Sequence, residues 1–299
     1  MSFDICIAFD DTKYLDNQFR LFIPSLKNNI PEDTILHIIT NRNEDDEIVS
    51  HILSDINSEY HYNYGRKTDN LKSRCKYMFN CFDVDTDKDY LLKLDCDVLI
   101  LRHLKELEDV LKLEYDVVLQ PENRKIYSDN IEKRLWRHIY KNMGMNIPNF
   151  KIHYIENHKK GLPLFNTGVV AVKKEKLKII NKEWHDLIRI CEKWINYNIH
   201  PNEFALTSLI LDKGWNWGWI GEEYNFNPIG YWRKGEFPSQ ELVENCEIPK
   251  EICILHYHRP YWLMHLANYN KKIGDIVCNN SKYIPDEWWK LENMEFQES

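Results

Sequence analysis

Much that would type a chain at a glance is missing from these 299 residues. No apolar run approaches the ~20 residues that a membrane-crossing helix needs. No basic segment ahead of an apolar core marks a secretory leader, so the expected location is cytoplasmic. Basic charge is in deficit, with 39 Lys and Arg against 47 Asp and Glu for a net charge of −8, which argues against a general nucleic-acid binder. The eight cysteines never fall into a C-x-x-C pair and suit reduced thiols in a cytosol-like compartment. Low-complexity tracts and internal repeats are absent too. What remains is an ordinary folded chain, 43% apolar and 29% charged, long enough for one large α/β domain or two small ones.

Short apolar runs alternate with helically spaced segments, the signature of a parallel sheet covered on both faces. Residues 4–9 (D-I-C-I-A-F) predict a first strand whose C-terminal edge carries Asp10, Asp11 and Thr12, where open α/β sheets bind ligands. A helix is expected over 14–28, a strand over 34–40 and a helix over 45–56. Residues 57–67 carry no clear pattern. A helix over 71–82 brings Arg74 towards the centre, and a helix over 103–113 and a strand over 115–120 follow. Residues 124–160 break the rhythm with nine Lys and Arg against three Asp and Glu. Within them a helix is expected over 129–143. A strand over 162–172, helices over 177–195 and 202–211, an aromatic loop over 215–228 and a last strand over 252–262 complete the order.

The stretch that organises the rest is K-D-Y-L-L-K-L-D-C-D-V-L-I-L, residues 88–101. Apolar runs on both sides of Asp95-Cys96-Asp97 predict one buried strand. Residues two apart on a strand point the same way, so Asp95 and Asp97 should project together. Two adjacent buried carboxylates are unfavourable without a cation between them, and a divalent metal is the economical choice. In a haloacid-dehalogenase-type phosphotransferase, D-x-D-x-[TV] follows the first strand. Here the closing position is Leu99, the motif lies well into the chain, and Asp10-Asp11-Thr12 has the wrong spacing.

Several motifs in order resemble the GT-A-fold nucleotide-sugar glycosyltransferases, most closely family 8, the glycogenin and galactosyltransferase-like group. I-A-F-D-D at 7–11 resembles the first-strand nucleotide-binding segment, and D-Y-L-L-K-L-D-C-D-V-L-I resembles "D-K-V-L-Y-L-D-x-D". L-F-N-T-G-V-V is similar to "F-N-x-G-V", and N-E-F-A-L-T stands at "D-Q-D-x-L-N". E-E-Y-N-F-N is similar to "L-x-x-x-Y-N", and L-H-Y-H-R-P-Y-W to a shortened "H-Y-x-G-x-x-K-P-W". The resemblance implies a single catalytic domain with a mostly parallel Rossmann-type sheet flanked by helices. It would span 1–275, with a nucleotide-sugar-binding half at 1–120, an acceptor half at 121–275 and a tail at 276–299.

The resemblance also implies roles. Asp95, Asp97 and His256 would hold a divalent ion, Mn²⁺ or Mg²⁺, together with the donor diphosphate, with His258 as the alternative histidine. Ala8, Asp10 and Thr12 would contact the nucleoside of a donor carried by UDP, and Arg74 would reach its nucleotide. Arg259, where the family has Lys, would pair with the diphosphate. Asn166 and Asn202 would position donor hydroxyls or the acceptor, a glycan or other hydroxyl compound. Glu203 stands where the family carries Gln and is the catalytic candidate, as nucleophile, oxocarbenium stabiliser or base. Retention of configuration is the family's implication, and Glu203 leaves it open.

Competing readings accompany each of these. A nucleotidyltransferase shares sheet and metal, but its Gly-rich loop after the first strand is absent. A non-catalytic glycan- or nucleotide-binding relative fits poorly with a D-x-D, a late histidine and Arg259 all retained. Cys246, Cys253, His256 and His258 do not match structural zinc spacings. Trp215, Trp217, Trp219 and Trp232 divide between core packing and an acceptor platform. Cys96 reads as a small packed residue, and Asp11, His37 and His185 receive no role. The basic insert, Lys133, Arg134 and Arg137 included, reads as a solvated face or as a surface drawing an anionic acceptor or membrane.

Overall fold

A computed structural model describes residues 1–9, 13–62, 81–122, 129–149, 151–153, 160–193, 201–226, 252–258, 260–269, 271–281, 284–286 and 288. Its centre is β1 (Phe3–Phe9), buried along all seven residues because both faces of the sheet are covered. β2 (Leu36–Thr40) and β4 (Tyr90–Leu94) pair with it in parallel on either side, and β3 (Ser58–Tyr62) lies beyond β2. On the far flank β9 (Phe165–Lys173) runs antiparallel between β4 and β6 (Val117–Pro121), and β10 (Trp217–Trp219) closes that side. The order is β10-β6-β9-β4-β1-β2-β3, so the expected mostly parallel sheet is present with one strand reversed, while β7 (Ile152–His153) and β8 (Lys160–Gly161) form a separate antiparallel pair.

Alternate residues of the strands feed two cores. Ile5, Ile7, Phe9, Leu92 and Leu94 meet α1 (Lys13–Lys27), α2 (Glu47–Asp55) and α3 (Leu107–Leu111) through Phe19, Phe22, Val49, Ile52 and Leu107. Cys6, Ala8, Leu91, Val170 and Val172 face α4 (Asp129–Met143), α5 (Lys174–Glu192) and α6 (Pro201–Asp212) through Trp136, Tyr140, Trp184 and Phe204. Asp46 caps α2, accepting from the amides of Ile48 and Val49. In α6 every residue from Glu203 to Ile210 is buried, so this helix is internal instead of amphipathic. A third cluster joins α7 (Pro260–Tyr269) and α8 (Lys271–Asn279) to β5 (Val98–Ile100) and β11 (Ile254–His256).

The structure differs from the sequence reading at several points. Residues 88–101 are not one strand: β4 belongs to the central sheet, β5 pairs antiparallel with β11 in a separate ladder, and Asp95 to Asp97 form the turn between them. The unassigned stretch contains β3, whose Ser-Glu-Tyr-His-Tyr alternation suits the end of a sheet, where one neighbour suffices. The aromatic loop contains β10, held to β6 by parallel pairing. The last strand stops at His256, and Pro260 opens a helix, where its fixed φ and missing N–H do no harm. The boundary drawn between 275 and 276 falls inside α8, and Val277, Ile284 and Trp288 are buried in the third cluster. Of the helix expected over 71–82, only Cys81 and Phe82 lie within the described residues, in a turn.

Candidate active site

β4 ends at Leu94 and delivers Asp95 to the C-terminal edge of the sheet. Because β9 is antiparallel to β4, its first residues lie at that same edge, and Asp95 N donates to Gly168 O at 2.8 Å. β6 ends beside them, with Glu122 N donating to Leu164 O at 2.7 Å. The start of α6 brings Asn202 and Glu203, and Asn202 Nδ2 donates to Thr167 Oγ1 at 2.7 Å. Four segments far apart in sequence thus meet at one edge.

The D-C-D turn and the end of β11 form the first half of the site. His256 Nε2 lies 3.3 Å from Asp97 Oδ1, and Tyr257 N donates to Asp97 O at 3.1 Å. The His256 and His258 rings lie 3.7 Å apart, and His258 reaches this position at φ 55°, which non-glycine residues seldom adopt. Asp97, His256 and His258 each offer a ligand atom, all within 4.8 Å of one another, so this group can hold a metal ion.

A chain of hydrogen bonds fixes the His256 tautomer. Gly168 N must donate, so the atom of Asn166 it meets at 2.8 Å is the amide oxygen. That oxygen also accepts from Asn225 Nδ2 at 3.0 Å, which leaves Asn225 Oδ1 to accept from His256 Nδ1–H at 3.1 Å. With Nδ1–H engaged there, Nε2 is the nitrogen turned to Asp97: it donates its proton to that carboxylate, and a cation that displaces the proton meets the Nε2 lone pair, the arrangement by which second-shell groups orient a metal-binding imidazole. Asn166 Nδ2 donates onward to Glu122 Oε1 at 3.1 Å. Gly168 serves once more: a Cβ there would sit 2.1 Å from His256 Cε1, so only glycine leaves room for the ring. Burial pushes the Asp97 carboxyl up, but the charge and hydrogen bond of His256 outweigh it and hold the carboxyl well below its usual range. Burial likewise pulls His256 down, and Asp97 more than restores it, so the imidazole titrates above its ordinary value.

The second half is built on Lys93. Its side chain is 1% exposed, and Nζ donates to Asp95 Oδ1 and to Thr167 O, the latter at 2.6 Å. Desolvation opposes its charge, yet Asp95 prevails and raises the ammonium above its ordinary value. Glu203 is 3% exposed on α6. Burial first, then the negative charges of Glu122 and Asp95, push its carboxyl well above the usual range, against a smaller opposite pull from Lys93. Its carboxyl therefore favours the protonated form more than an exposed glutamate does.

Of the residues singled out in the sequence, the structure gathers Asp95, Asp97, Asn166, Asn202, Glu203 and His256 at this edge. Ala8 is buried near the end of β1. Asp10, Thr12, Arg74 and Arg259 lie outside the described residues. Asp95 is held by Lys93 and does not join the Asp97–His256–His258 group. Cys96 packs inward, with Sγ 3.8 Å from Gln18 Oε1. Trp215 is core, Trp217 packs edge-on to Phe165, and Trp219 is 50% exposed. Sequence reasoning passed over Lys93, Glu122 and Asn225. Lys93 had a readable signal, a lone cation in a buried run two residues before an Asp, whereas Glu122 and Asn225 matter only through contacts across the fold.

No helix among the described residues is long and apolar enough to cross a membrane. No curated protein sequence matches the chain. Solved structures do. Galactosyltransferase LgtC in complex with donor and acceptor sugar analogues matches with TM-score 0.62 and 15% identity over 96% of this chain and 99% of that one. An active-site glutamine-to-glutamate mutant of LgtC matches with TM-score 0.62 and 14% identity, over the same shares of the two chains. Mouse xyloside xylosyltransferase 1 matches with TM-score 0.55 and 13% identity over 85% and 97%. At these identities the likeness concerns the fold, which is GT-A. The family model of the Rhodobacterales glycosyltransferase domain matches residues 20–201, more than half of the chain. With this fold and this strand-end site, the chain belongs to the Rhodobacterales glycosyltransferase domain family and is a GT-A nucleotide-sugar glycosyltransferase.

Proposed function

We propose that the protein transfers a hexosyl unit from a UDP-linked sugar to a glycan or other hydroxyl acceptor, with Mn²⁺ or Mg²⁺ as its metal. The observation that carries this reading is the group Asp97, His256 and His258 beside the end of β4, with His256 Nδ1 tied to Asn225 so that Nε2 faces the group. One carboxylate and two imidazoles with neutralising charge nearby fit a divalent ion, and the imidazoles favour Mn²⁺. When bound, such an ion supplies Lewis-acid neutralisation of the diphosphate leaving group.

The chain's own residues do the rest. Lys93 fixes Asp95 at the mouth of the site, where its free oxygen can meet the donor. Arg259 follows His258 directly in the chain and supplies a fork for phosphate oxygens. Ala8, Asp10 and Thr12 are assigned to the nucleoside by their position at and after β1 and by their resemblance to the family's motifs, and Arg74, from the helix expected over 71–82, is assigned to the nucleotide. Asn202 is the amide assigned to substrate hydroxyls, because Asn166 is already engaged in orienting His256. Glu203 is assigned to the sugar's reacting face as a neutral acid. It presents an O–H and a C=O there, much as the family's glutamine presents an N–H and a C=O.

Thermal-shift titration with nucleoside diphosphates and Mn²⁺ tests the reading. At a hundredfold excess over Kd, UDP with Mn²⁺ should stabilise by about 2.7 kcal/mol, or roughly 5–10 °C in Tm. Asp97→Ala should lose the metal-dependent part of that shift and turnover with it. Absence of stabilisation by any nucleoside diphosphate with metal would overturn the donor assignment, and an Asp97→Ala protein that binds UDP with Mn²⁺ normally would move the site elsewhere.

A further inference from the structure

A second histidine–carboxylate cluster lies on the sheet itself. His37 is on β2, and Glu59 and His61 are on β3, whose parallel register sets Glu59 beside His37 and His61 beside Ile39. Residues two apart on a strand share a face, which turns all three side chains to one side of the sheet. His37 Nδ1 and His61 Nε2 are 3.0 Å apart, and Glu59 Oε2 lies 3.5 Å from the first and 3.8 Å from the second. A point about 2.0 Å from all three atoms therefore exists close to their plane, the distance at which zinc binds imidazole and carboxylate.

The surroundings suit a ligand set better than a hydrogen-bonded pair of rings. A proton shared between the imidazoles satisfies those two nitrogens and leaves the Glu59 oxygen too far from either for a good hydrogen bond. Behind His37, Nε2 faces Asp4 Oδ2 at 3.5 Å. Asp4 is 1% exposed and is itself held, by Ile35 N to Oδ1 at 2.8 Å and by Thr86 Oγ1 to Oδ2 at 2.5 Å. Too distant for a good hydrogen bond, the Asp4 carboxylate still favours by its charge the tautomer with the proton on Nε2, which turns the Nδ1 lone pair into the cluster. The Glu59 and His61 side chains are 54% and 33% exposed, which leaves an ion a way in from solvent.

We propose that His37, Glu59 and His61 bind a zinc-like divalent transition-metal ion, with Asp4 orienting His37, and that this ion fastens β3 to β2. Two imidazole nitrogens and one carboxylate favour Zn²⁺ over the oxygen-seeking Mg²⁺ and Ca²⁺. The cluster shares no residue with the Asp97–His256–His258 group, so it is a second site with a structural task.

The test uses the full chain carrying Asp97→Ala, which removes a ligand of the other group. Zn²⁺ is titrated against a chromogenic chelator, and Co²⁺ is followed by its visible d–d absorption. One ion per chain is expected. Adding His61→Ala or Glu59→Gln, both at partly exposed positions, should weaken Zn²⁺ by about tenfold or more, and Asp4→Asn by about 10–100-fold through the second shell. An Asp97→Ala protein that takes up no Zn²⁺, or one whose affinity survives both His61→Ala and Glu59→Gln unchanged, overturns the proposal and leaves an imidazole–imidazole hydrogen bond in its place. Far-UV circular dichroism of each metal-free variant separates lost binding from lost fold.

Discussion

Asp97 and Glu203 flank the same sheet edge, the first partly and the second fully withdrawn from water, and their protons are governed in opposite directions. Asp97 faces His256 at 3.3 Å and is held ionised. Glu203 faces burial and two further carboxylates, Glu122 and Asp95, and its carboxyl is pushed up. Burial alone would have raised both, so the neighbour decides. Paired carboxylates with diverging titration are how one site keeps an anion for a cation and an acid for a hydrogen bond. The difference also softens the departure noted in the sequence, because a carboxyl pushed towards its protonated form resembles glutamine more than an ionised one does.

The largest effect should come from removing what lets Asp97 meet His256. Gly168→Ala places a methyl 2.1 Å from His256 Cε1 and must displace the ring. Misplacement on the order of 1 Å costs about 10²-fold in rate, and the metal-dependent thermal shift with UDP should fall with it. A Gly168→Ala enzyme with wild-type turnover would show that the His256 position is not what keeps Asp97 useful.

Glu203→Gln probes the other side of the comparison. The folded state retains a proton on Glu203 that the unfolded chain releases above its ordinary value of 4.5. Glu203 thus contributes fully below that pH, and its contribution is lost as pH rises towards the elevated folded value. Glutamine has no proton to lose, so Glu203→Gln should melt higher than wild type at pH 8, with the gain vanishing near pH 4. Turnover should stay within about tenfold and lose its alkaline decline. A fall of about 10²–10⁴-fold instead, the usual range for a lost general acid or base, would mean that the ionised carboxylate does the chemistry.

The smallest effect concerns charge left in water. Trp136, Ile139 and Tyr140 anchor α4, while Arg134, Arg137 and Lys141 are exposed. If this ridge draws an anionic acceptor, neutralising the three should raise its KM a few-fold at low salt and flatten the salt dependence. An unchanged KM and salt profile would leave the ridge as a solvated face, with no part in substrate choice.

The site was legible where chemistry and strand pattern coincide. Asp95-Cys96-Asp97 behind an apolar run, the late histidines, and N-E-F-A at the start of a helix all pointed to the sheet edge that the structure shows. The strand pattern also misled, because continuous hydrophobicity through Leu101 hides a change of sheet: β5 pairs with β11, not with β1 or β9. Apolar side chains record burial and say nothing about which partner covers them. β3 went unread for the converse reason, since an end strand needs only one neighbour and can stay polar.

By itself, then, the sequence determined the alternation of elements, the two cores and the residue types available for metal and sugar, since hydrophobic periodicity and ligand chemistry are local. Tertiary structure decided the pairings. It gave Asp95 to Lys93 and Asp97 to His256, let Gly168 make room for an imidazole 88 positions away, and set Glu203 among carboxylates. Those assignments depend on distances across the fold, and a protonation state follows from such distances, not from residue type.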